Sequence, residues 1–446
     1  MDSVYRSGET IVSAPKEIWE SFTAEENLAF EHNDSTTDLS SGLYRSLSES
    51  GVDLSSQEAL FYSISLRRSL QMQLRSLRLS KLFVSTVSRL VNEMASTVSS
   101  YLDISASIVP YGSIASNLCL TDSSIDLLLF IPPGVFNAHF SSQGRSNNSH
   151  PEIPIGMVKE FEFRQSMRKA LVRISELLTV FCGLRMMKIS DVVPLTSVSP
   201  SSRVPVLTMT DPVSGVIFEI VCNNVMPVFS TRLIKSYNSL VPTGELRDFV
   251  LLVKNWAKRR MLLGSGNGEL SGYTWTLLCI FYTQACLNLM PSLQDSCKER
   301  QQWTDPFGSS RRCDVGFLDE KDVASVLLPD SVSLLFGFLD FFANYWNWTT
   351  GVISVRLGRI VYLENPEVYI KQSLSERINA LVIEDPFDIK KNLCTGSLDR
   401  LRNELSESAL LVSAGGSVRS LMTPASLPVP VAVAYRRRPT RADSVF

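Results

Sequence analysis

From residue 57 onward the chain shows two spacings of apolar residues. Leu66, Leu70, Leu74 and Leu77 recur at three- and four-residue steps, which predicts helix over 57–102. Four strand-like runs follow, Ile104–Val109, Ile125–Ile131, Val204–Met209 and Val216–Cys222, with a helix over Ile155–Cys182 between the second and third. From Glu245 the spacing is helical again, in Glu245–Leu262, Ser271–Asn288 and the Leu-, Phe- and Trp-rich stretch 331–347. These elements predict an α+β protein, with a small mixed sheet backed by helices and then a mainly helical part. Residues 1–56 are Ser- and Glu-rich without periodicity and are expected to be flexible. The Ser/Asn/Gly stretch 141–150 reads as a surface insertion, and 396–446 as a largely disordered tail.

Composition narrows the picture little. A chain of 446 residues with 44% hydrophobic and 20% charged residues has room for two or three domains. The net charge of −2 means that nucleic acid could be held only by a local patch. Arg67, Arg68, Arg75, Arg78 and Lys81 form either a solvated helix face or an RNA-facing stripe. The eight cysteines form no CxxC pair, and the three histidines are His32, His139 and His150, which argues against a zinc site, a disulfide framework or a His-based triad. The first 30 residues hold no apolar leader, so an intracellular protein is expected, cytoplasmic rather than mitochondrial, with no membrane role. The apolar run Tyr273–Met290 carries Thr274, Thr276, Thr283, Gln284 and Asn288, and so reads as a buried core helix.

The chemistry begins at "YGSIASNLCLTDSSIDLLLF", residues 111–130. Asp126 stands alone in an apolar strand, and Ser124, two residues earlier, shares its face. Paired carboxylates on one strand face make a metal site; here one of the two positions carries a hydroxyl. Four more blocks follow: "RVPVLTMTDPVSGVIFEIVCNN" at 203–224, "FSTRLIKSY" at 229–237, "LLVKNWAKRRMLLGSGNGELSGYTW" at 251–275 and "VIEDPFDIKKN" at 382–392. In this order and spacing the five blocks resemble the non-canonical poly(A) polymerase and terminal uridylyltransferase family of the nucleotidyltransferase superfamily.

The resemblance implies a polymerase-beta-like sheet domain over 104–236. It also implies a helical domain, associated with poly(A) polymerases, over 237–395, with 57–103 packed against it. It implies phosphoryl transfer: an RNA 3′-hydroxyl attacks the α-phosphate of UTP or ATP, with Mg²⁺ or Mn²⁺ clamping the charge. Asp126 and Glu219 take the metal-ligand positions, with Ser124 where the family has its first Asp and Glu219 where it has a third. Gly112 and Ser113 form the phosphate-binding turn. Lys254 and Lys258, four residues apart on one helix face, grip the triphosphate, and Tyr273 stacks on the base. Asn224 and Thr231 match ribose contacts, with Ser230 replacing the family's Asn. Gly272 replaces a phosphate-binding Ser, leaving the nearest hydroxyl on Ser271. Asp385 and Asp388 match the acidic pair that orders water around uracil, so UTP is favoured over ATP, and Lys391 falls where some members carry a base-selecting His. Asp122 is a possible substitute for the missing carboxylate. The alternative implied by Ser124 is an inactive member that binds nucleotide or RNA within an RNA-processing protein complex.

Overall fold

The computed structural model describes residues 57–140, 155–190, 204–264, 269–305, 312–370, 381–394 and 398–424. The segment 1–56 and the insertion 141–150 lie outside the described residues. The predicted helix 57–102 is two helices, α1 Gln57–Leu77 and α2 Lys81–Tyr101. Ser80 separates them: its hydroxyl accepts the Phe83 N–H at 3.1 Å and caps α2. The break lets each helix bury its own stripe in a different core. Leu66, Leu70 and Leu74 join the helical lobe, whereas Val87, Leu90, Val91, Met94 and Val98 join the sheet lobe. Of 57–103, expected to pack with the helical domain, α2 instead packs on the sheet, while α1 packs with the helices. Arg67 and Arg78 of the expected basic stripe are tied inward, to Asp330 at 2.6 Å and Asp248 at 2.5 Å.

The sheet lobe has five strands, β1 Ser107–Pro110, β2 Ile125–Phe130, β3 Arg185–Ile189, β4 Val206–Thr210 and β5 Ile217–Cys222, in the order β1-β2-β5-β4-β3. Only the β2–β5 pair is parallel. The short helices α3 Gly112–Ala115 and α4 Pro133–His139 flank β2, and α5 Ile155–Cys182 backs the sheet together with α2. Ile125, Leu127 and Leu129 point into that backing core, while Leu128 and Phe130 point into the helical lobe. A strand covered on both faces reads as a continuous apolar run, which is why "IDLLLF" shows no alternation. Asp126 shares the helical-lobe face. The edge strand β3 was not anticipated: Arg185, Met186, Met187 and Lys188 are all exposed, so it carries no burial pattern.

The second lobe contains α6 Met226–Ser239, α7 Glu245–Arg259, α8 Gly272–Phe281 and α9 Ser331–Asp340; α8 and α9 each run on into a π-turn. Helix α7 ends before the expected Leu262, because Met261 turns the chain at φ +54°. The lobe is mainly helical, and it also carries short strands. A two-stranded ribbon, β6 Gln302–Thr304 and β7 Arg312–Asp314, lies beside it. So does a four-stranded sheet, β8 Gly351–Ile353, β9 Val361–Tyr362, β10 Val382–Asp385 and β11 Asp388–Asn392. These strands are too short to show a period in sequence.

The expected tail from 396 also needs correction. Residues 398–424 contain α10 Asp399–Ser413 and α11 Val418–Leu421, packed on α7, while 425–446 lie outside the described residues. Arg260, with no solvent exposure, draws them in. Its guanidinium pairs with Glu404 and with Glu407 at 3.1 Å, and donates to the Leu421 and Ser420 carbonyls at 2.8 and 3.1 Å. Trp256 Nε1 donates to Ser408 at 3.0 Å. Among the described residues, no helix is long and apolar enough to cross a membrane. Removing one partner of a buried ion pair leaves the other charge uncompensated. Glu404→Ala should therefore lower unfolding free energy by about 3–5 kcal/mol in urea titrations. Glu93→Ala, which breaks the exposed Arg89–Glu93 pair, should cost under about 1 kcal/mol.

Candidate active site

Asp126 on β2 and Glu219 on β5 are direct Cα partners across the parallel pair, so their carboxylates stand side by side on the face turned to the helical lobe. Among the described residues none hydrogen-bonds or ion-pairs with either carboxylate. Burial, with the Glu219 charge as the second cause and Lys254 opposing both, pushes the Asp126 carboxyl up to about 7. Tyr111 lies against the pair, and its phenol is held far above its usual range by burial and by the two carboxylates. Sequence reading passed over Tyr111 because an aromatic before a Gly-Ser turn carries no signal of its own.

Gly112 follows at φ +69°, and a Cβ there would collide with the Asp126 carboxylate. Only glycine satisfies both conditions. Its N–H donates to the Thr231 hydroxyl at 2.8 Å, and that hydroxyl donates to the Pro227 carbonyl at 2.7 Å. Thr231, buried on α6, thus supports the turn. Ser113 is the second residue of α3, and its carbonyl accepts the Leu118 N–H at 2.8 Å. Asn224 is half-buried in the loop between β5 and α6. Its neighbour Asn223, at φ +54°, clips β5 to β2 by accepting the Ile131 N–H at 2.8 Å and donating to the Leu129 carbonyl at 2.9 Å.

Helix α7 reaches the loop between α3 and β2 from the other lobe. Lys254, 4% exposed, donates to the Leu118 carbonyl at 2.8 Å. Burial pulls its ammonium below the usual lysine range, against the opposing pull of Cys119, Cys279 and Asp126. Gly272 lies against it: a Cβ at 272 would sit 3.2 Å from Lys254 Cε, which accounts for glycine where a serine was expected. Ser271 stands one position before it, at the start of α8. It caps α8, accepting the Thr274 N–H at 3.1 Å and sharing a hydrogen bond with the Thr274 hydroxyl at 2.8 Å. Lys258 pairs with Asp122 at 2.5 Å. Asp122 therefore serves Lys258 and does not join Asp126 and Glu219. Among the described residues no three His, Cys, Asp or Glu side chains group to hold a metal. Two facing carboxylates fit a single divalent cation, and Ser124 immediately precedes β2.

The base-side residues form a second group. The Tyr273 ring packs on the helical core, and its hydroxyl is buried without a hydrogen bond of good geometry, facing Ser230 and Asp385. Asp385 and Asp388 are Cα partners in the β10–β11 hairpin. Asp385 accepts the Phe387 N–H at 3.1 Å and pairs with Lys391 at 3.3 Å. The hairpin is anchored from behind by buried Glu384, which accepts from Arg356 Nε and Nη2 at 2.8 and 3.0 Å and from the Ser354 hydroxyl at 2.9 Å. Arg356 and Ser354 lay outside every block read in the sequence, with no motif to mark them. A separate cavity of about 580 Å³, lined by Arg232, Lys298, Val315 and Phe317 among others, contains none of the expected site residues.

A two-lobed nucleotidyltransferase is what this fold and this juxtaposition define. Residues 66–239 match the family profile described as "Poly(A) RNA polymerase, mitochondrial-like, central palm domain", and residues 332–391 match "Cid1 family poly A polymerase". The chain belongs to the non-canonical poly(A)/poly(U) polymerase family. The poly(A) RNA polymerase GLD2-A of Xenopus laevis is 28% identical over 191 residues, 42% of this chain and 35% of that protein, so the matched region spans about a third of the curated relative. The structure of a cytoplasmic RNA terminal U-transferase superposes with TM-score 0.61 at 22% identity, covering 81% of this chain and 98% of that one. Cid1 in complex with the UTP analogue UMPNPP gives TM-score 0.60 at 21% identity, over 80% and 98%.

The raised Asp126 carboxyl has a definite sign in stability. Between its usual 3.8 and its native value of about 7, the folded protein holds a proton that the unfolded chain has released, so stability falls as pH rises through that window. Asp126→Asn should stabilise the metal-free protein at pH 8, by on the order of 1 kcal/mol or more, and have little effect at pH 4. Cation binding must displace that proton, so the Mg²⁺-dependent rise in melting temperature should be larger at pH 8 than at pH 6.

Proposed function

We propose that the protein is an RNA 3′-terminal nucleotidyltransferase that takes UTP in preference to ATP and whose rate is limited by Ser124. The observation that carries this reading is the pairing of Asp126 with Glu219 beside the Gly112 turn and the Lys254 ammonium. In this reading Tyr273 stacks on the base and Lys254 and Lys258 bind phosphates. Asp126 and Glu219 would hold a divalent cation, which would supply positive charge to offset that on the reacting phosphate. The chain's own residues thereby align the RNA 3′-hydroxyl with the α-phosphorus, from which pyrophosphate is displaced. The Asp385–Asp388 hairpin beside Tyr273 supports uracil. The Lys391 ammonium, a donor only, suits a base carbonyl better than the amino group of adenine.

Ser124 supports a second reading, an inactive member that binds nucleotide or RNA as a subunit of an RNA-processing complex. Loss of one of three metal carboxylates reduces rate on the order of a thousandfold. A labelled RNA primer offered each nucleoside triphosphate in turn, with Mg²⁺ or Mn²⁺, separates the readings. Slow extension by UTP above ATP, raised on the order of tenfold by Ser124→Asp, is the expected result. No extension by either protein, with UTP still bound, would select the inactive reading. Tyr273→Ala should weaken UTP binding by about 1–3 kcal/mol. Alanine at Asp385 or Asp388 should narrow the gap between UTP and ATP.

A further inference from the structure

Helix α7 presents its two lysines to one loop in different ways. Lys254 is buried and hydrogen-bonds a neutral carbonyl, that of Leu118. Lys258, one turn further on, meets a full negative charge, the Asp122 carboxylate at 2.5 Å. The 118–122 loop runs from the Gly112 turn into β2, so this contact sits where the nucleotide's phosphates would approach. Neither Lys258 nor Asp122 is locked in place. Their side chains are 39% and 66% exposed, and among the described residues Asp122 has no second ion-pair partner. The hydrogen bond from Lys258, and then its charge, hold the Asp122 carboxyl below its usual range, against the opposing effect of burial. An exposed pair of this kind is held weakly and separates readily into water.

We infer that Asp122 is a built-in competitor for the nucleotide's phosphates, occupying Lys258 until a polyphosphate displaces it. This rests on the nucleotide site proposed above and adds a regulating residue to it. The carboxylate both neutralises the lysine and repels an incoming phosphate, so it lowers affinity for triphosphates most. A nucleoside monophosphate, lacking the β- and γ-phosphates, has little with which to displace it. The device discriminates ligands by charge, independently of the base.

Binding of UTP and of UMP to the full chain in Mg²⁺, measured by calorimetry, tests this. Asp122→Asn keeps the shape of an exposed side chain and removes only the charge. It should tighten UTP by about two- to fivefold and leave UMP unchanged. The gain should shrink as salt is raised. Asp122→Glu should behave as wild type, and in a Lys258→Met background Asp122→Asn should have no effect. Weaker UTP binding by Asp122→Asn would show instead that Asp122 positions Lys258, and would overturn the proposal. So would unchanged UTP binding in a protein whose affinity still responds to Tyr273→Ala. If wild type binds no UTP, and neither Tyr273→Ala nor Lys254→Met changes this, the nucleotide site itself fails and the competitor with it.

Discussion

The ammonium of Lys254 occupies a position where an uncompensated charge is strongly unfavourable. Three features make it tolerable: the Leu118 carbonyl, the negative field of Asp126, and two polarisable thiols at Cys119 and Cys279. All but one of these groups belong to the sheet lobe, whereas Lys254 belongs to the helical lobe. The charge therefore fixes how the lobes meet. Gly272 must leave room for it, the 118–122 loop must turn its carbonyl toward it, and Asp126 must remain close enough to matter. A carboxylate raised by burial and a lysine lowered by burial stabilise each other's charged forms. Site electrostatics and lobe packing are thus one arrangement.

Much of the fold was legible because its signals are local. The helix Ile155–Cys182 carries an apolar stripe long enough to be read, and β2 and β5 carry apolar runs bounded by turns. What was not legible depends on partners far along the chain. The split of 57–102 follows from two separate cores that claim its halves, and a three- to four-residue period cannot tell one core from another. The second-lobe strands take their partners from across the lobe, as when Val382 pairs with Val352. The ordering of 398–424 depends on Arg260, which looked like one more basic residue in a KRR run.

The site divides in the same way. Asp126 and Glu219 were readable from residue type and register, since strand alternation alone puts a charge on a face. The duties of hydroxyls were not. Thr231 and Ser271 both have side chains engaged by the protein itself, in a turn support and a helix cap. Sequence shows that a hydroxyl is present and not whether the backbone already uses it. Asp122 stood as a substitute for the missing carboxylate, but its partner is a lysine on a helix more than a hundred residues away.

Helices α1 and α11, near the two ends of the described chain, lie in one lobe. Arg67 of α1 is bound to Asp330, and α11 packs near α1 and α7. The sheet lobe is thus an insertion within a discontinuous helical body. On a ribosome the inserted unit can collapse as soon as β5 has emerged, because its strands and backing helices are all in hand. The enclosing body must wait for α10 and α11, with Arg260 and the apolar flank of α7 uncovered until then. Long-range closure of this kind slows assembly and prolongs exposure of the unfinished core. The nascent chain is therefore expected to need protection most during synthesis of α10 and α11, after its sheet has formed.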